Sequence, residues 1–135
     1  MRRRLLSVTA IALLLLPGCD STAPHVPEPG VLTLMLTTPN TGDAAAVITV
    51  VAPADSGVSA VEAVPGQGDL IVHSRVSART TRVVVIGALA DGALVRFAVP
   101  DVQQADSYTV QLVEVADETN ALRASLAGYS VSVRR

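Results

Sequence analysis

From Val31 onward no hydrophobic pattern lasts: short runs rich in Val, Ala, Leu and Thr are cut at near-regular intervals by Pro, Gly, Asn and Asp. Such a rhythm leaves no room for long helices and favours strands joined by turns. Val31 to Thr38 alternates, with Leu32, Leu34 and Leu36 on one face, and Pro39-Asn40-Thr41-Gly42-Asp43 closes it as a turn. Ala44 to Ala52 is apolar almost throughout, the pattern of a central strand buried on both faces. Further strands are predicted over Val58 to Val64, Leu70 to Val76, Thr81 to Ile86, Ala93 to Val99, Ser107 to Val115 and Tyr129 to Val133. Turns at Pro53 to Gly57, Pro65 to Asp69 and Gly87 to Gly92, and a connection from Pro100 to Asp106, separate them. Ala116 to Leu126, with Leu122 and Leu126 four residues apart, is the one helical candidate. About eight strands at this spacing predict an all-β fold, a single antiparallel β-sandwich over residues 31–135.

The interior must be built from small and β-branched side chains, because half the residues are apolar but only Phe97, Tyr108 and Tyr129 are aromatic. All ten basic residues are arginine, and three of them, Arg2 to Arg4, open the chain. Without those three the remaining seven arginines face twelve carboxylates. An acidic domain of that kind lacks the clustered positive charge with which proteins displace counterions from nucleic acid, so no nucleic-acid partner is expected.

Arg2-Arg3-Arg4, an apolar run from Leu5 to Leu16 broken by Ser7 and Thr9, and a small residue at Gly18 have the three parts of an export signal. As a helix the apolar run spans about 18 Å, short of the ~30 Å hydrocarbon core of a bilayer. Residues 1–18 are therefore expected to be a signal peptide. The stretch "DSTAPHVPEPG" that follows the single cysteine, Cys19, holds three prolines and almost no apolar pattern, so residues 19–30 read as an extended tether. His25 within it is expected to be solvated.

Leu16, Gly18 and Cys19 resemble the lipobox of bacterial lipoproteins, with Pro17 standing where that family has Ala or Ser. The resemblance implies a diacylglyceryl lipid on the Cys19 sulfur, cleavage just before it, and a mature protein anchored to a membrane of the cell envelope, on the periplasmic side or at the cell surface. An ordinary secretory cleavage after Ser21-Thr22-Ala23 is the alternative, and would place Pro24 directly after the cut. One acyl chain holds a protein only marginally, at about 0.8 kcal/mol per buried CH₂, whereas two or three hold it firmly. Acylation would also leave the exported domain without a thiol for a disulfide or a nucleophile. A second likeness lies in "GALADGALVRFAV" and "SYTVQLVEV": Gly87, Leu89, Gly92, Leu94 and Phe97 are similar to the later strands of cohesin-like β-sandwich modules. It implies a fold and no partner contact.

Sites for chemistry are sparse. His73 is the sole histidine after the tether, in a strand with Ile71 and Arg75 on the same face, and no G-x-S-x-G elbow accompanies it. Glu62 and Glu114 are isolated in strands. Seven aspartates fall in predicted loops, where Ca²⁺ takes its oxygen ligands, but Asp also favours turns by bonding the local backbone, and the turn reading is preferred. Asp117, Glu118 and Asn120, or Asp101 with Asp106, are the places to look for Ca²⁺. Gly66-Gln67-Gly68 sits between strands and is a turn rather than a phosphate loop. Arg75, Arg79, Arg82 and Arg96 could gather as a basic patch, although a solvated sheet face that blunts edge pairing is favoured.

Taken together these features lead us to expect a lipid-anchored envelope lipoprotein without enzymatic activity or cofactor, a structural or adhesive module that meets another envelope protein. A Ca²⁺- or small-ligand-binding module is the alternative, and a hydrolase a distant third.

Overall fold

The computed structural model describes residues 23–135. Residues 1–18, expected to be a signal peptide, and with them Leu16, Pro17 and Gly18, as well as Cys19, lie outside the described residues. Eight strands form two antiparallel sheets of four: β1 (Gly30–Thr37), β2 (Asp43–Val51), β3 (Ser59–Ala63), β4 (Ile71–Ser77), β5 (Thr80–Leu89), β6 (Gly92–Val99), β7 (Thr109–Asp117) and β8 (Ser130–Arg134). The first sheet runs β3-β6-β1-β8 and the second β4-β5-β2-β7, with one 3₁₀ turn, Val102–Ser107, between β6 and β7. The protein is an all-β sandwich, and among the described residues no helix is long and apolar enough to cross a membrane.

The alternation read from the sequence is the alternation that fills the core. Leu32, Leu34 and Leu36 of β1 meet Ala46, Ile48 and Val50 of β2 and Val83 and Val85 of β5, all essentially without solvent contact. In β6 the register slips between the partners of Leu34 and Met35, so that consecutive Leu94 and Val95 are both buried. Phe97 sits beside Tyr108 at a ring separation of 6.1 Å. The second sheet packs on the first by one face only, so β2 is central without being covered on both sides. Its outward residues, Val47, Thr49 and Val51, are half-buried by their neighbours in the sheet.

Two other expectations change. β5 runs on to Leu89, and the Gly87-to-Gly92 turn shrinks to Ala90-Asp91. Gly87 makes this possible: its φ is 138°, and a Cβ there would lie 2.8 Å from Leu70 Cδ2. The helical candidate Ala116 to Leu126 is not helical. Asn120 takes a positive φ of 64°, Leu122 bridges back to Ala116, and Arg123 N–H donates to the Val115 carbonyl. Leu122 is 65% exposed whereas Leu126 packs against the core, so the two do not form one apolar stripe.

All the strands run between the same two ends. One end collects residues 23–29, the β2–β3 loop, the β4–β5 turn, the 3₁₀ turn and the end of β8. The other collects the β1–β2, β3–β4 and β7–β8 loops and the β5–β6 turn. We call them the tether end and the loop end.

Candidate functional site

At the loop end a carboxylate is built into the sandwich. Asp43, the first residue of β2, is 1% exposed, where the pattern of the sequence had suggested a turn residue. Its burial follows from register: Asp43 lies opposite both Leu89 of β5 and Asp117 of β7, at the mouth of the core. Buried charge needs partners, and three residues from two loops supply them. Thr38 Oγ1 and Tyr129 OH donate to Oδ2 at 2.6 and 2.8 Å, and Arg123 Nε donates to Oδ1 at 2.8 Å. Asn40 Nδ2 in turn donates to Tyr129 OH at 2.9 Å, and Arg123 Nη2 to the Thr41 carbonyl at 3.1 Å. Burial works against the charged form of Asp43, but the hydrogen bonds from Thr38, Tyr129 and Arg123 outweigh it and hold the carboxyl below its usual range.

Both oxygens of Asp43 are occupied, so the group braces rather than reacts. It ties the β1–β2 loop to the β7–β8 loop, a link repeated by the Glu118 N–H to the Gly42 carbonyl at 3.0 Å. Beside it, Thr38 N–H donates to Asp91 Oδ1 at 2.6 Å and fastens the β5–β6 turn. An open cleft of about 370 Å³ lies between that turn and the β1–β2 loop. Loops held this way are preorganised, a property that lowers the ordering cost of recognition wherever such loops bind. The sequence pattern makes Asp43 a turn residue and does not single out Arg123; the available signal was a carboxylate abutting the most apolar run of the chain.

The remaining residues singled out from the sequence are placed as follows. Asp117 forms a turn of its own: Oδ1 accepts from Thr119 N–H, Thr119 Oγ1 and Ala121 N–H. These bonds, those from Thr119 first, hold its carboxyl below the usual range. Glu118 and Asn120 are exposed on that turn. Asp106 is exposed at the end of the 3₁₀ turn, while Asp101 is buried at its start. Among the described residues no three His, Cys, Asp or Glu side chains gather as a metal site requires. His73 faces outward from edge strand β4 and is exposed. The four arginines do not gather: Arg75 and Arg82 are directly opposed on β4 and β5, Arg79 Nε donates to the Ala52 carbonyl, and Arg96 pairs with Glu62 on the other sheet.

The tether is a second departure. His25 is not free in solvent: its Nε2 bonds Asp101 Oδ2, and Asp101 Oδ1 accepts from Glu28 N–H at 3.2 Å and from Gln103 N–H at 3.0 Å. Val102 N–H donates to the Glu28 carbonyl at 2.8 Å. The missed signal was Asp101 itself, which caps the 3₁₀ turn and has an oxygen left to bind the tether. The His25 hydrogen bond is the main reason that the Asp101 carboxyl is held below its usual range. Asp101→Ala should release the latch, seen as faster amide exchange at Glu28 and Gln103 with the core amides unchanged; unaltered exchange at both would show that Asp101 does not hold the tether.

Comparison with protein-family models, curated proteins and solved structures finds no match for this chain.

Proposed function

We propose that this chain is a lipid-anchored bacterial envelope lipoprotein whose sandwich presents its loop end to another envelope protein, as a structural or adhesive module without catalysis. The observation that carries the reading is the opposition of the two ends. The tether leaves the domain at one end, and the loops braced by Asp43 stand at the other. A chain held by Cys19 would thus turn its most preorganised surface away from the bilayer. His73, exposed on an edge strand, and Asp43, with both oxygens engaged, offer nothing resembling a nucleophile and its base.

The test is the fate of Cys19 in a bacterial host. Wild-type protein should partition with membranes and yield an N-terminal peptide carrying acyl chains, whereas Cys19→Ala should accumulate with its signal segment uncut and without lipid. Wild-type protein with an unmodified Cys19 and no membrane association would overturn the anchor.

A further inference from the structure

Each sheet ends in two edge strands, and an unpaired edge is a template for another strand unless it is blunted. Three of the four edges are blunted. β3 is five residues long, and its pairing with β6 is broken between Ser59 and Glu62, where Ala60 takes a φ of 47°. β8 is also five residues long. β7 is bulged between the partners of Val47 and Ile48, and Leu122 and Arg123 fold back over Ala116 and Val115. β4 has none of these devices. Its seven residues, Ile71–Ser77, run in unbroken register with β5, contain neither Pro nor Gly, and are exposed except for half-buried Val72. Arg75 lies opposite Arg82 on the outer face of the sheet, where it does not stand between two strands placed side by side. The direction of the free backbone groups follows from the ladder. Ala52 N–H donates to the Arg79 carbonyl on the β2 side, and groups alternate along a strand, so Thr80, Arg82, Val84 and Ile86 exchange bonds with Ser77, Arg75, His73 and Ile71. The N–H and C=O groups of Val72, Ser74 and Val76 therefore point to the free edge. Among the described residues no backbone hydrogen bond from another strand or loop reaches them. Their side chains share the core-facing side with buried Val85, Val83 and Thr81, yet Val76 is 53% exposed.

We propose that β4 is a contact surface for a second copy of this chain, the two β4 strands pairing antiparallel about a two-fold axis that passes between their Ser74 residues. The strand is its own complement. In that register Val72 meets Val76 of the second copy, Ser74 meets Ser74, and His73 meets Arg75. Each free N–H of Val72, Ser74 and Val76 then finds a free carbonyl, and the second sheets of the two copies join into one. Neighbouring registers are poorer. A shift of one residue aims the free groups at residues already bonded to β5 and puts core-facing side chains opposite outer ones. A shift of two residues one way sets Arg75 against Arg75, like charges directly opposed. The same shift the other way sets His73 on His73 and carries Val76 past the end of β4. Pairing also takes the apolar surface of Val76 out of water against Val72 of the second copy. The contact runs along the side of the sandwich, so both loop ends stay uncovered, each beside the tether end of the other copy. The inference goes beyond the loop-end reading and needs no lipid at Cys19.

The experiment measures the mass of full-length protein by sedimentation, in detergent kept in large excess over protein. Wild-type protein should pass from monomer to dimer as its concentration rises through the micromolar range, as suits a small interface. Ser74→Pro should weaken self-association at least tenfold and keep a cooperative melt, because the N–H it removes makes no bond within the sheet. Val76→Lys, which sets a charge against Val72 of the second copy, should weaken it as much, and decides the matter if Ser74→Pro fails to fold. Register is read by cross-linking with a short bis-maleimide, measured above the level of wild-type protein. Ser74→Cys should be joined into a covalent dimer. Thr109→Cys, on β7 at the far edge of the same sheet, should not be, since seven strand spacings, roughly 34 Å, separate the two copies of residue 109. A wild-type protein that stays monomeric throughout that range would overturn the proposal. So would a dimer indifferent to Val76→Lys, or cross-linking from residue 109 and not from residue 74.

Discussion

Phe97→Ala should cost the domain about 3–5 kcal/mol, the largest loss expected of any single core substitution here. Phe97 is 1% exposed and is the bulkiest fully buried side chain. The chain has one Phe and no Trp, so a core of Val, Ala and Leu cannot slide another large group into the space. Its ring also lies against Tyr108, whose hydroxyl donates to the Gly57 carbonyl at 3.3 Å, so a hole at 97 loosens the β2–β3 loop as well. Domains of this size are stable by about 5–15 kcal/mol, and the variant would stand near the edge of folding. Phe97→Leu, which keeps most of the volume, should cost less than about 1.5 kcal/mol. Urea unfolding with an unchanged slope measures both. An alanine variant within about 1 kcal/mol of wild type would mean that the two sheets close over the gap.

The second large effect concerns the brace at the loop end. Asp43→Asn should destabilise by about 2–3 kcal/mol, because the amide keeps only one acceptor oxygen for Arg123, Thr38 and Tyr129, turns an NH₂ donor toward the rest, and removes the charge that Arg123 balances. The cost stays below that of a wholly buried pair, since the Arg123 side chain is 25% exposed and can turn to water. The same substitution alters the response to acid. The carboxyl is held below the ordinary 3.8, so the unfolded chain takes up the proton first as the pH drops. Its stabilisation is complete well above 3.8 and is lost as the pH falls through the lower folded value. Asp101 and Asp117 are shifted in the same direction and add to the loss. Melting temperatures from pH 6 downward should therefore fall less steeply below about pH 4 in Asp43→Asn than in wild type. A variant of unchanged stability whose acid limb overlays that of wild type would show that Asp43 is not the brace.

The strands were legible because each carries its own signature. The alternation of Leu32, Leu34 and Leu36 and the turn residues after Thr38 place β1 and its end within a residue. What the sequence concealed depends on partners distant along the chain. Ala116 to Leu126 looked helical by spacing, but the Asp117 side chain ties up Thr119 and Ala121 in a turn that no helix accommodates. His25 read as solvated because its partner lies 76 residues away. Asp43 resembled a turn aspartate until strand register set it over the core, 80 residues from Arg123. Strand order is the extreme case, since no local pattern tells β1 that it will lie between β6 and β8.

That order has a consequence for how the chain is made. Among the described strands, β4 and β5 are the one pair adjacent both in sequence and in a sheet. Every other pairing waits for distant chain, and β1 lacks one neighbour until β8 has emerged. Folds governed by such distant pairings form slowly, because loop closure must be completed before contacts repay it. A nascent chain can thus close the β4–β5 hairpin early but cannot complete the sandwich until its last strand is free. The topology acts as a timer that keeps the polypeptide pliable until β8 is free to pair with β1.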